Sequence, residues 1–457
     1  MNDTNKNERP TIAMSEKFFF VVDSATAGQH VAMLAVFTPP KGADADYATQ
    51  LLGRLREIRT FAPPFNYVLD RPAMRKINAT MSMLADDAVD LDYHLRHHRL
   101  PAPGGQRQLD DLIAELHGPQ LDFGRPLWEY HLIEGLEGGR FATYVKFHHA
   151  VMDGVGWNQR FVQSVTEDPG TAELRPIWTV GPTSELPPPP KPAPMRELLE
   201  ARKYMKRNAK QGIAEVAAPY VAPKTVLNGR LTHRRRATTV SYPLERIRGI
   251  AKVAGVTVND ILVSSVAGGL RRYLEERGEL PGKPLIASVP FNIRVPGDDA
   301  TLNAYSTILI TMFTDIADPV ERLRAVARSS TIAKNDIRSR TPEVAVMYSP
   351  LIGGKFALNQ ATGLAGRTAP PFSAIVSCIP GPDADLYLAG AHLDAMFPIG
   401  PLYHGCGLIV AALTISGAFG IGFHCCPDTV PGIDRIAAYT GAALDDLESE
   451  LTVSANL

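Results

Sequence analysis

Cysteine is scarce in this chain: four residues in 457, Cys378, Cys406, Cys425 and Cys426, all within the last eighty positions. No Cys-x-x-Cys pair occurs among them. That excludes a disulfide framework and the usual zinc ribbons, and it predicts reduced thiols in a cytoplasmic protein. An excess of one charge is missing too, since 47 Lys and Arg face 48 Asp and Glu for a formal net charge of −1. The function class this removes is nucleic-acid binding through a basic surface. No secretory leader is expected, because Met1 to Pro10 is polar and no basic region runs into an apolar one. Long apolar runs are nearly absent. The one near bilayer length, Gly405 to Phe423, is nineteen residues without a formal charge. It holds five glycines, and Ser416-Gly417 splits it, so it predicts two buried strands and a turn.

What is present is an ordinary globular composition, 45% hydrophobic and 21% charged, in a chain too long for one compact core. Two domains are expected, and proline marks the division. Eight prolines lie between Pro176 and Pro194, including the run Pro187 to Pro190, which suits an extended connector and neither helix nor central strand. The expected parts are residues 1–175, a linker with a basic helix over 176–230, and residues 231–457.

The pattern in each half is α/β. The first predicts strands at Val31 to Phe37, Trp128 to Ile133 and Phe141 to Phe147, with helices at Tyr47 to Ile58, Leu109 to Leu116 and after Gly154. The second predicts strands at Thr238 to Tyr242, Leu285 to Pro290, Ser306 to Phe313 and Ala374 to Cys378. Its helices are expected at Leu244 to Ala254, Val258 to Leu274, after the start signal Asp318-Pro319-Val320-Glu321, and at Ile433 to Leu447.

The segment richest in chemistry is Phe147-His148-His149-Ala150-Val151-Met152-Asp153-Gly154. A β-branched and aromatic run leads into it, so the two histidines should leave a strand end on opposite faces and only one can enter a given pocket. Asp153-Gly154 supplies a turn into a short helix. An imidazole and a carboxylate four residues apart suit proton transfer. Two plain alternatives are partly buried structural histidines and a metal site, the latter weakened because adjacent strand residues diverge and a third ligand would have to come from far away.

His148-His149-x-x-x-Asp153-Gly154 resembles the signature of the CoA-dependent acyltransferase superfamily. Arg125-Pro126-Leu127-Trp128-Glu129, Val258-Asn259-Asp260-Ile261-Leu262 and Ser377-Cys378-Ile379-Pro380-Gly381-Pro382 resemble, in order, segments of the bacterial wax ester synthase/acyl-CoA:diacylglycerol acyltransferase family. The resemblance implies two chloramphenicol-acetyltransferase-like α/β domains with a channel between them. It implies acyl transfer from acyl-CoA to a long-chain alcohol or diacylglycerol, with no cofactor and no metal. His149 would be the general base and His148 would face away to support the loop. Asp153 would hold that loop through an arginine, for which Arg294 in Pro290-Phe291-Asn292-Ile293-Arg294 is the candidate. Gly154 would turn the chain without obstructing the channel.

The same resemblance makes Asn259 the first candidate for an oxyanion donor and Ser377 the second. Asn259 has an equally good local reading, a helix start capped by Thr257 and Asp260. Trp128 is a candidate for lining the channel, although a Trp on a strand is more often plain core. The chain departs from the family at Cys378, where an asparagine is usual, and at Leu408-Ile409-Val410, where Leu-Asn-Ile is common. Rival readings are a condensation-type enzyme acting on an amine and a lipid-binding homologue with impaired catalysis. The oligomeric state stays open. Lastly, Arg196 to Lys210 carries six basic and two acidic residues, and helical spacing groups Leu198, Ala201, Tyr204 and Met205. It predicts either a solvated linker helix or a peripheral contact with anionic membrane or lipid droplet.

Overall fold

The computed structural model describes residues 12, 14–78, 81–86, 88–185, 192–212, 214–301 and 303–455. The proline run Pro187 to Pro190 lies outside the described residues. The strands are β1 (His30–Thr38), β2 (Tyr67–Leu69), β3 (Met83–Ala85), β4 (Leu95–Arg99), β5 (Trp128–Glu134), β6 (Phe141–His148), β7 (Arg236–Pro243), β8 (Ile286–Asn292), β9 (Tyr305–Thr311), β10 (Ala374–Pro380), β11 (Tyr387–Leu388), β12 (Ala391–Ile399), β13 (Leu408–Ile415) and β14 (Ala418–Cys425). The helices are α1 (Met14–Val22), α2 (Tyr47–Glu57), α3 (Leu91–His94), α4 (Gln106–His117), α5 (Gly154–Ser164), α6 (Met195–Gln211), α7 (Leu244–Ala254), α8 (Val258–Glu276), α9 (Pro319–Arg338), α10 (Pro342–Ala361) and α11 (Ile433–Ala455).

Two six-stranded mixed sheets form, ordered β11-β12-β1-β6-β5-β4 and β7-β14-β13-β10-β8-β9. β6 is central to the first, and its alternation explains why. Phe141, Val145 and Phe147 enter one core, while Ala142 and Tyr144 enter another on the opposite face, so both faces are covered. The apolar run near the C-terminus is the antiparallel pair β13 and β14, with the register Ile415↔Ala418 across the turn at Ser416 and Gly417. No single helix among the described residues is long and apolar enough to cross a membrane.

Chain order does not map simply onto the sheets. β12 comes from the second half of the sequence yet pairs antiparallel with β1, Leu34 opposite Phe397. It also packs on β13 and β14 of the other sheet. The contact is backbone to backbone. A Cβ on Gly420 would sit 2.1 Å from the Met396 carbonyl oxygen, and one on Gly422 would sit 2.1 Å from that of Pro398. The Gly420-x-Gly422 spacing puts both hydrogens on the face that β12 approaches.

Sequence reading missed α1, β2, β3, α3, β4, α10, β11 and β12. β4, Leu-Arg-His-His-Arg, has no apolar alternation because it is an edge strand with a half-exposed face. α10 carries Pro350 inside it and lacks a clear apolar stripe. α6 forms as expected, but its grouped residues turn inward. Ala201 is fully buried, and Leu198 and Met205 pack on the core of the second sheet, which holds Val289, Ile310, Val376 and Val410. Of the two alternatives for this helix, the one that gives its apolar residues to a membrane finds those residues packed against protein instead.

Candidate active site

β6 ends at His148, and His149 leaves the strand with its N–H donating to the Gln29 carbonyl oxygen at 2.9 Å. Gln29 is itself buried and donates through Nε2 to the carbonyl oxygens of Ala27 (2.9 Å) and Leu402 (3.2 Å). The rings of the histidine pair part. His148 stacks on Phe20 at 4.6 Å and His149 on Phe19 at 4.1 Å, so α1 covers both with consecutive phenylalanines. The apolar run Phe18-Phe19-Phe20 was the available signal for this helix.

His148 is fully enclosed. Its Nδ1 accepts the Ala150 N–H at 3.2 Å, which puts the ring proton on Nε2, 3.6 Å from Asp23 Oδ2. Burial lowers its pKa, against the raising effect of Asp23. His149 is half-buried, with Tyr305 beside it at 5.8 Å between ring centroids. Burial lowers its pKa as well, opposed by its own carbonyl oxygen, by the Asp153 charge and by the Asn303 side chain. A neutral imidazole at pH 7 follows. Its Nδ1 is buried and no described group completes a hydrogen bond to it.

Asp153 does not bond to that imidazole. As N-cap of α5 it accepts the Gly156 N–H at 2.7 Å, and its Oδ2 accepts the Ala304 N–H at 2.8 Å. Arg294 Nη2 stands 3.1 and 3.0 Å from the two carboxylate oxygens, with both side chains almost fully buried. Arg294 Nη1 also donates to the Thr301 carbonyl oxygen. The ion pair therefore ties the loop after His149, on the first sheet, to the segment between β8 and β9 on the second.

Gly154 is the first residue of α5, behind the N-cap Asp153, so the chain enters a helix at it and the turn expected at Gly154 is not made there. Its constraint is packing. A Cβ there would lie 2.6 Å from Ile379 Cδ1 of β10. Trp128 is core and not channel: it is 2% exposed, donates through Nε1 to the Phe65 carbonyl oxygen at 2.7 Å and stacks on His94 and Trp178.

Asn259 is the second residue of α8, and the cap is made around it. Thr257 Oγ1 donates to Asp260 Oδ2 at 2.6 Å, and the Asp260 N–H returns to Thr257. Asn259 Nδ2 is buried with no acceptor among the described residues. Ser377 is half-buried on β10, two residues before the Ile379 that meets Gly154. No hydrogen bond among the described residues joins either to His149. At the two positions expected to depart from the resembled pattern the residues present are apolar: burial pushes the Cys378 thiol up to about 12, and Ile409 fills the space in front of Gly400.

Comparison with known proteins decides what this arrangement belongs to. Residues 12–262 match the wax ester synthase/diacylglycerol acyltransferase catalytic domain, and residues 302–448 match the C-terminal domain of the same family. The chain belongs to that family. This acyltransferase is 33% identical to the probable diacylglycerol O-acyltransferase tgs2 of Mycobacterium tuberculosis, over 96% of this chain and 99% of that one. It is similar to the solved wax ester synthase/diacylglycerol acyltransferase of Marinobacter aquaeolei VT8, with a TM-score of 0.78 and 30% identity over 97% of this chain and 99% of that one. The first condensation domain of the calcium-dependent antibiotic synthetase shares the fold alone, with a TM-score of 0.57 and 15% identity over 98% and 97% of the two chains.

Proposed function

We propose that this acyltransferase moves a fatty acyl group from acyl-CoA to the hydroxyl of diacylglycerol, of a long-chain alcohol, or of both, with His149 as general base. The observation that carries the reading is the state of His149: an imidazole biased neutral by burial, half-buried as a residue and with Nδ1 enclosed, which makes Nε2 the nitrogen assigned to the substrate. In this reading Nε2 takes the alcohol proton as the oxygen attacks the thioester carbonyl carbon. The tetrahedral intermediate then expels the CoA thiolate, which receives that proton from the imidazolium. No acyl-enzyme forms and no metal or cofactor is needed. Asp153 and Arg294 keep the loop in place and do not exchange protons. Of the two oxyanion candidates Asn259 has the stronger support, because an unpaired buried donor is costly unless a ligand meets it.

The relatives' names support a diacylglycerol or long-chain alcohol acceptor. Peripheral contact with an anionic bilayer or lipid droplet belongs to the same reading, and α6 would supply it by charge. The deciding experiment offers purified protein several acyl-CoAs with a fatty alcohol, diacylglycerol and an amine. Ester from either of the first two is the expected product. Amide formation would favour condensation chemistry, and no turnover with any acceptor would favour a lipid-binding homologue. Exhaustive chelation should leave the rate unchanged, and a loss that zinc restores would overturn the metal-free step.

A further inference from the structure

Two buried polar atoms beside the histidine loop lack partners among the described residues, and they complement each other. One is His149 Nδ1 and the other is Asn303 Oδ1. Asn303 precedes β9, and its position is fixed from three sides. Its Nδ2 donates to the Ala150 carbonyl oxygen at 3.4 Å, next in sequence to His149. The N–H of the following residue, Ala304, is held at 2.8 Å by Asp153 Oδ2. Tyr305, two residues on, has its ring 5.8 Å from the His149 ring. With Nδ2 committed to Ala150, the amide has only its oxygen left to offer. That oxygen is an acceptor, and the Asn303 side chain favours a protonated His149.

We infer that Asn303 is a positioning residue for the reaction: its Oδ1 accepts the Nδ1–H of His149, which fixes the ring and leaves the Nε2 lone pair free to act as base. The inference rests on His149 being the base. It also gives the Asp153–Arg294 pair a route to the chemistry. Asp153 makes no bond to the imidazole, but it holds Ala304, and Ala304 carries Asn303 to the ring. Catalytic hydrogen bonds are often open in a free enzyme and close when substrate fills the site, so the two unpaired atoms fit a contact completed on binding. The His149 carbonyl oxygen also neighbours the ring and selects the same tautomer. Asn303 adds orientation from the second sheet, which a residue's own carbonyl cannot supply.

Asn303→Leu keeps the size and removes the acceptor, while Asn303→Asp keeps the acceptor and adds a charge. The Leu variant should lose about ten-fold in kcat, the scale of one hydrogen bond, with KM for acyl-CoA and acceptor within two-fold of wild type. The Asp variant should recover much of that rate at high pH, with the acid limb of its pH–kcat profile moved upward by the added carboxylate. Circular dichroism and thermal midpoints confirm that each variant folds. A folded Leu variant with unchanged kcat, or an Asp variant whose acid limb stays put, overturns the inference. His149→Ala separates the two readings: if it abolishes turnover while the Asn303 variants behave as wild type, only the role of Asn303 fails, and if it turns over normally the base itself is wrong.

Discussion

His149 and His148 are neighbours in sequence and opposites in surroundings, and substitution should separate them. His149→Ala should cut kcat by about 10² to 10⁴-fold, the usual effect of losing a general base, with little change in thermal midpoint. His148→Ala opens a hole against Phe20 and Asp23, so its loss should appear mainly in stability. Paired measurements of kcat and unfolding midpoint test this, and near-normal turnover by folded His149→Ala would sink the mechanism. The ion pair behind the loop gives a second test at this scale. Asp153→Ala leaves Arg294 buried without its counter-charge, and breaking such a pair typically costs about 3–5 kcal/mol. The double variant Asp153→Ala, Arg294→Met should lose less than the two single changes summed. Strict additivity in denaturant titrations would show that the pair is not coupled.

Among the elements, α6 has a role that depends on which face is outward. Its apolar side rests on the core of the second sheet, and Arg202, Lys203, Lys206, Arg207 and Lys210 are exposed. Attachment to an anionic surface would therefore be electrostatic, helped only by the exposed Met195 and Leu199 near its start. Vesicle flotation should show binding that weakens as salt rises and when Lys203, Lys206, Arg207 and Lys210 become Gln. Equal binding by wild type and variant at low salt would rule this helix out as the anchor. Legibility at this scale followed local pattern. β1, β6, β13 and β14 were readable because buried runs with turn residues at their ends announce strands. α1 and β12 were not, since α1 has only a short apolar run and β12 is interrupted by His392, Asp394 and Pro398.

At the scale of the whole molecule, buried histidines tie stability to pH. His424 and His131 are fully buried, and burial pushes their pKa values down to about 3 and about 4. A depressed histidine is neutral in the folded chain and charged in the unfolded one below 6.5, so its contribution is intact above that pH and is lost as pH falls toward the folded value. At pH 5 each should cost about 2 kcal/mol relative to neutral pH. Asp110, pushed up to about 6 by burial, works the other way and returns about 1 kcal/mol over the same interval. A net loss of roughly 2–3 kcal/mol between pH 7.5 and pH 5 is expected from these three groups, read by urea unfolding at each pH. His424→Gln should flatten that slope, and an unchanged slope would contradict the assignment.

The sequence by itself determined the α/β class, most of the elements, and the His148, His149 and Asp153 constellation, because strand alternation, capping and a strand-end motif are written within a few residues of each other. It also put Arg294 forward, although 141 positions separate it from Asp153. Only the tertiary structure decided what surrounds these groups. Phe19 and Phe20 over the two rings, β12 crossing into the first sheet, Trp128 sealed in the core, Ile379 against Gly154, and Asn303 beside His149 all join residues far apart in the chain. Nothing local in the sequence encodes which distant backbone will cover a strand end, because that is fixed by how two sheets bury their faces against each other.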